Sequence, residues 1–111
     1  MAIRIHGNVL NRGFIPNLPA RAIVEVPCLV DRNGVAGVVV GDLPEICAAI
    51  NRASINVQLL TIEAALTRKG ETVYHAAYVD PHTSSELTLD QIRALCDELF
   101  EAHRKWLPRM T

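Results

Sequence analysis

A polar loop near the start of the sequence carries four residues suited to ligand binding: Asn11, Arg12, Gly13 and Asn17. They lie in N-R-G-F-I-P-N-L-P, which leads into an apolar, β-branched run over residues 23–30. Because Asn and Gly tolerate left-handed backbone and each proline fixes φ, we predict a shaped loop that enters a buried strand. Such a loop commonly holds side chains against a ligand, and it also commonly just turns the chain. The pattern alone leaves both interpretations open.

The carboxylates form no recognisable catalytic motif. The acid–base candidates are Glu25, Asp31, Asp42, Glu63 and Asp80. Glu25 interrupts the apolar stretch V-E-V-P, so it either points outward or supports the polar side chains of the loop from behind. No Ser or Cys stands beside a His base in the sequence, and we predict no catalytic residue within these 111 residues.

Cofactor and metal motifs are also missing from the sequence. A dinucleotide site needs glycine-rich backbone between a strand and a helix, and no G-x-G-x-x-G occurs. We therefore predict no NAD site, and isolated histidines predict no metal site. The cysteines lie far apart in apolar segments, as is typical of reduced core residues in a cytoplasmic protein. These histidines and cysteines are His6, His75, His82, His103, Cys28, Cys47 and Cys96.

Length and composition describe an ordinary globular chain. With 111 residues, 50% of them hydrophobic and a net charge of −1, the sequence predicts a single domain over residues 1–111. Scattered basic residues and few aromatics argue against a nucleic-acid partner. No apolar run approaches the roughly 20 residues that cross a bilayer, so we expect no membrane partner and a cytoplasmic location.

The first half of the sequence predicts strands. Residues 3–9 alternate as a short strand, and a second strand covers about residues 22–31. Pro27 cannot donate to a ladder, so we expect that second strand to lie at an edge or to carry a bulge. Asn33-Gly34 is a strong turn signal, which makes residues 22–40 a β-hairpin.

The second half predicts about three helices. A long helix should begin with Asp42 as its cap, and its two apolar stripes indicate burial on two sides. Gly70 should end this helix, before a shorter one over residues 71–79 that stops at Asp80. Thr88 and Gln91 have the spacing of a capping box for an amphipathic last helix, whose stripe faces the core or a second subunit. We predict an α+β fold with a small antiparallel sheet packed on about three helices.

The sequence resembles the C-terminal part of family 4 glycoside hydrolases, which are NAD- and manganese-dependent α-glucosidases, α-galactosidases, α-galacturonidases and relatives. The resemblance begins with N-R-G-F-I-P-N-L-P and V-E-V-P-C-L-V-D and continues in the family's order through V-G-D-L-P, N-V-Q and T-I-E-A-A-L to W-L-P. It implies part of a domain similar to the C-terminal domain of lactate and malate dehydrogenases. It also implies hydrolysis of O-glycosidic bonds by oxidation at C3, elimination and reversal.

The resemblance places the family's NAD fingerprint, manganese ligands and catalytic tyrosine upstream of the matched region, so no Rossmann domain is expected within these residues. It implies that residues 1–111 form the substrate-side segment, with Asn11, Arg12, Gly13 and Asn17 nearest the sugar and Glu25 behind them. Such a chain would be inactive alone. It would be either a truncated enzyme or the part of an enzyme that a missing N-terminal domain or an upstream-encoded chain completes. The alternative is a standalone oligomeric binding or assembly module derived from that domain. Both interpretations predict a homo-oligomer, because uncovered apolar surface favours self-association.

Overall fold

The computed structural model describes residues 1–111 as three strands followed by four helices. The elements are β1 (Ile3–Leu10), β2 (Ile23–Asp31), β3 (Gly34–Gly37), α1 (Glu45–Thr67), α2 (Gly70–Val79), α3 (Pro81–Glu86) and α4 (Leu89–Ala102). The strands form one antiparallel sheet in the order β1-β2-β3, which confirms the predicted α+β class and the hairpin. Four helices form instead of about three, because Asp80-Pro81 both ends α2 and begins α3.

The chain divides into two compact units, Met1–Arg52 and Ala53–Thr111, and α1 crosses the boundary between them. A single domain over residues 1–111 stays a prediction. None of the helices combines the length and the apolarity needed to span a bilayer.

The position of β2 corrects the prediction drawn from Pro27. β2 is the central strand, with β1 on one side and β3 on the other. Pro27 lies opposite His6 of β1, and its carbonyl accepts a hydrogen bond from Val38 N at 2.9 Å, on the side of β3. In an antiparallel strand the nitrogen and carbonyl of one residue face the same neighbour. The missing N–H of Pro27 therefore faces the place just beyond the end of β3, where no ladder bond requires it.

The sheet is covered on one face only. Along β2 the side chains of Val24, Val26 and Cys28 are buried, while Glu25 and Leu29 between them are exposed. This alternation has the period of two that a half-buried strand requires. The first unit builds its core on that face, together with buried residues of the preceding loop.

The start of α1 corrects a second prediction. The helix begins at Glu45, three residues after Asp42, which is exposed and does not cap it. Two features keep the preceding residues out of the helix. Leu43 exchanges two hydrogen bonds with the side chain of Asn17, and a residue that precedes a proline, as Leu43 precedes Pro44, is disfavoured in helical conformation.

Within this chain α1 is not buried on two sides, contrary to the prediction from its two stripes. Ala48, Ile55 and Ala64 are buried, but several large apolar residues remain exposed. The exposed residues are Ile46, Ile50, Ile62 and Leu66, which are 70%, 65%, 48% and 81% exposed. The stripes are apolar as the sequence indicates, but no part of these 111 residues covers them.

The second unit is built from helices joined by short capped turns. The capping box at Thr88 and Gln91 is present as predicted, and Ile92 and Cys96 of α4 are buried. The Tyr74 ring of α2 meets the Phe100 ring edge-on at a centroid distance of 5.8 Å, and its hydroxyl donates to Asp97. That hydrogen bond raises the pKa of Tyr74.

Asp80 makes the stability of the α2–α3 junction dependent on pH. Its carboxylate accepts hydrogen bonds from the backbone N and the hydroxyl of Thr83, at 2.8 and 2.7 Å, and these bonds lower the pKa of Asp80. A lowered folded-state pKa gives stability that is present above the unfolded value, about 3.9, and is lost as pH falls through the folded value. We therefore expect wild type to lose stability relative to Asp80→Asn between about pH 5 and about pH 2. Urea unfolding of both proteins across that range measures the difference, and a constant difference would contradict the assignment.

Candidate functional site

Asn11 is the centre of the polar loop over residues 11–22. Its side chain is fully buried, its amide nitrogen donates to the carbonyls of Ile15, Leu18 and Pro19, and its amide oxygen accepts from Ile15 N. The distances from the amide nitrogen are 2.9, 3.1 and 3.1 Å, and the distance from Ile15 N to the amide oxygen is 2.8 Å. All the polar groups of this side chain are thus used to shape the loop.

Asn17 anchors the far side of the loop to the segment that precedes α1. Its amide nitrogen donates to the Leu43 carbonyl at 2.8 Å, and its amide oxygen accepts from Leu43 N at 2.9 Å. Arg52 of α1 donates to the Asn17 carbonyl at 3.0 Å and pairs with Glu45. The sequence reasoning did not identify Arg52. Its only signal was a long charged side chain close to the apolar stripes of the helix.

Phe14 fastens the loop to β3 and to the residues that follow it. Its ring lies directly on Gly37, where an added Cβ would stand 2.6 Å from a ring carbon, and its carbonyl accepts from Val40 N at 2.9 Å. Sequence reasoning also missed Phe14, because nothing in the pattern connects residue 14 with residue 37.

Arg12 and Gly13 form the exposed tip of this anchored loop. Arg12 has φ +46 and Gly13 has φ +94, so two consecutive residues adopt left-handed backbone. For a non-glycine residue this conformation is uncommon, and it persists where the surrounding bonds determine it. Arg12 N donates to the Ala20 carbonyl at 3.0 Å, while its guanidinium is exposed and forms no ion pair within the chain. Among the four residues predicted to contact a ligand, Arg12 is therefore the one whose side chain is free to do so.

The remaining candidates do not converge on the loop. Glu25 is exposed opposite Asn8 of β1, and its supporting role stays a prediction. Asp31 accepts from Asn33 N in the hairpin turn, and Asp80 caps α3. No three His, Cys, Asp or Glu side chains are grouped closely enough to hold a metal ion.

Comparison with known proteins assigns the chain to a family. Residues 2–83 match the model of the family 4 glycosyl hydrolase C-terminal domain. The chain therefore belongs to the family 4 glycosyl hydrolases and corresponds to the C-terminal domain of these enzymes, as the resemblance implied.

Two curated relatives and one solved structure show what the chain is similar to. The chain is 58% identical over 102 residues to an alpha-galactosidase of Bacillus subtilis (strain 168) and 42% identical over 106 residues to an alpha-galactosidase of Rhizobium meliloti (strain 1021). These matches cover 92% and 96% of the chain but only 24% and 22% of the relatives. The 6-phospho-beta glucosidase of Thermotoga maritima, solved with manganese, NAD+ and glucose-6-phosphate, superposes with a TM-score of 0.84 at 26% identity, over 97% of this chain and 26% of that one.

The residues of this chain do not fit the NAD and manganese that the family implies. Metal binding requires a set of converging His, Cys or carboxylate ligands, and none is grouped here. A dinucleotide requires a strand, a glycine-rich turn and a helix in succession, whereas β3 is followed by V-V-V-G-D-L-P, which has a single glycine, before α1 begins.

Proposed function

We propose that this chain is the substrate-side part of an α-glycosidase that hydrolyses O-glycosidic bonds of α-galactosides by NAD-dependent oxidation and elimination. The anchored loop with its exposed Arg12–Gly13 tip is the observation that carries the proposal. The two alpha-galactosidase relatives favour a galactoside over the phosphorylated glucoside of the solved structure.

Within this proposal the four loop residues divide into two roles. Arg12 donates hydrogen bonds to sugar hydroxyls, and Gly13 allows the backbone to approach the ring. Asn11 and Asn17 act indirectly, since their amides already hold the loop in shape. The chain alone is inactive, because the groups that perform the chemistry have no place in it. The three free cysteines support a cytoplasmic location, where thiols stay reduced.

The isolated chain is expected to show no activity. The purified protein is assayed with aryl α-galactoside, α-glucoside and α-galacturonide in the presence of NAD, manganese and a reductant, and NAD binding is measured by calorimetry. Turnover that disappears without NAD or manganese would overturn the proposed inactivity.

A chimera tests the binding role directly. Residues of this chain replace the matching segment of the Bacillus subtilis alpha-galactosidase, and the chimera is expected to hydrolyse aryl α-galactosides. Arg12→Ala in that chimera is expected to raise KM about tenfold, as loss of a charge-assisted hydrogen bond does. Arg21→Ala, which removes an exposed arginine from the other end of the same loop, is the matched control. Equal effects of both changes would contradict the role of Arg12.

A second candidate function is assembly, in which the chain self-associates through its uncovered apolar residues. The exposed isoleucines and leucines of α1 and the half-exposed leucines of α4 favour it. The missing part of the family fold, supplied by another domain or another chain, is the alternative partner for α1. Self-association through α4 and contact of α1 with the rest of the family fold use different surfaces of the chain.

A further inference from the structure

Arg52 joins α1 to the polar loop through two contacts of one guanidinium. One terminal nitrogen donates to the Asn17 carbonyl at 3.0 Å, and the other donates to the carboxylate of Glu45, the first residue of α1. The side chain of Arg52 is 36% exposed and that of Glu45 is 76% exposed, so the ion pair itself adds little stability. The bond to the carbonyl is charge-assisted, and the contact with Glu45 fixes the direction in which the guanidinium points.

The Asn17 carbonyl depends on Arg52 for its hydrogen bond. Several other carbonyls of the loop accept from backbone N–H groups or from the buried amide of Asn11, whereas the Asn17 carbonyl accepts from Arg52 alone. The next carbonyl, that of Leu18, accepts from the Asn11 amide at 3.1 Å. Because Asn11 directly precedes Arg12, the segment that Arg52 holds is bonded to the base of the loop tip.

We propose that Arg52 is a positioning residue for sugar binding. It holds residues 15–19 of the loop in place, and through the Asn11 amide it keeps the exposed Arg12 guanidinium where it meets the galactoside. Among the hydrogen bonds that anchor the loop, this one is supplied by a helix, so the loop follows the position of the first two turns of α1. This inference rests on the proposed function and adds to it a residue that does not itself touch the sugar.

Trypsin cleavage of the full chain measures this positioning without any sugar. Trypsin cuts after exposed arginines where the backbone opens locally, so cleavage after Arg12 reports on the loop tip. Cleavage after Arg32, which is exposed in the hairpin turn, is the internal reference for the rest of the first unit. Arg52→Ala is expected to speed cleavage after Arg12 at least about tenfold and to leave cleavage after Arg32 unchanged. Equal acceleration at both sites, or at neither, would overturn the positioning role.

A conservative variant separates the forked geometry of Arg52 from its charge. Arg52→Lys keeps the positive charge but loses the planar fork that reaches the Asn17 carbonyl and Glu45 together. Its cleavage rate after Arg12 is expected to lie between those of wild type and Arg52→Ala. A rate for Arg52→Lys equal to that of Arg52→Ala at Arg12, with both sites accelerated, would assign the effect to general destabilisation.

The chimera with the Bacillus subtilis alpha-galactosidase tests the consequence for sugar binding. Arg52→Ala is expected to raise KM for an aryl α-galactoside about fivefold and to change kcat by less than about twofold, because it weakens binding and removes no reacting group. Asn51→Ala is the matched control on α1, since the Asn51 side chain donates to the Cys47 carbonyl of its own helix, and it should leave both constants unchanged. In an Arg12→Ala background, Arg52→Ala should cause no further increase in KM, because its effect passes through Arg12.

The outcomes distinguish this inference from the proposed function. An Arg12→Ala chimera with raised KM, combined with an Arg52→Ala chimera of unchanged KM, would overturn the role of Arg52 and leave the proposed function standing. Two effects that multiply in the double variant would do the same, since Arg52 would then act independently of the loop tip. An Arg12→Ala chimera with unchanged KM would overturn the proposed role of the loop tip, and the role of Arg52 in sugar binding with it.

Discussion

Replacement of Asn11 by alanine is expected to lower the free energy of unfolding by about 3 kcal/mol. The side chain is fully buried and satisfies three loop carbonyls and one backbone N–H. Its removal leaves Ile15 N and the Leu18 carbonyl without partners, whereas the carbonyls of Ile15 and Pro19 still accept from Leu18 N and Ala22 N. Each buried unpaired polar group costs about 1–3 kcal/mol. Part of that cost is recovered as the loop relaxes toward solvent. The total loss of unfolding free energy therefore stays below the sum of the costs of the individual unpaired groups. Urea unfolding followed by far-UV circular dichroism measures the change.

Asn8→Ala is the control for this substitution. Asn8 is an exposed asparagine of β1 with no side-chain hydrogen bond, so its replacement should change stability by no more than about 0.5 kcal/mol. Equal small effects at both positions would mean that the loop does not depend on Asn11. In that case the geometry of the Arg12–Gly13 tip would depend on the anchors at Asn17 and Phe14 instead.

The sequence was most informative where structure depends on neighbouring residues. The Asn33-Gly34 turn and the capping box at Thr88 are local devices, and each was predicted at its observed position. The break after α1 was assigned to the wrong residue: α1 ends at Thr67, Arg68 adopts φ +58, and Gly70 is the first residue of α2. Local rules failed where a distant residue intervened. Asp42 has the right type for a helix cap, but Asn17, 26 residues away from Leu43, holds that backbone in another conformation.

The candidate site also combines features that the local sequence predicts with features that depend on distant residues. The sequence identified the loop and its polar residues, because Asn, Arg, Gly and Pro are visible as types. It could not distinguish an amide that faces a ligand from one that is turned inward, since hydrogen-bond direction is a property of the folded chain. Asn11 and Arg12 are adjacent in sequence, yet one is fully buried and the other exposed. The uncovered stripes of α1 were beyond local reasoning for a related reason: a pattern shows that a face is apolar but not what lies against it.

Gly37→Ala is expected to lower the free energy of unfolding by about 2 kcal/mol, within the usual cost of overpacking. The added Cβ would stand 2.6 and 2.7 Å from two carbons of the Phe14 ring, far inside van der Waals contact. The ring must turn about its side-chain torsions or carry the loop with it, and either movement gives up its contact with β3. Urea unfolding of the variant measures this cost.

The partner of Gly37 is tested by repeating the substitution in a Phe14→Leu background. Leucine is shorter than phenylalanine and leaves room for the methyl group, so the cost of Gly37→Ala should fall to less than about 1 kcal/mol there. An equal cost in both backgrounds would place the strain in the backbone of β3 and not in the contact with the ring. Because Phe14 directly follows Arg12 and Gly13, the clash should also displace the loop tip. In the chimera, Gly37→Ala should therefore raise KM for the galactoside, and Phe14→Leu should reverse part of that increase.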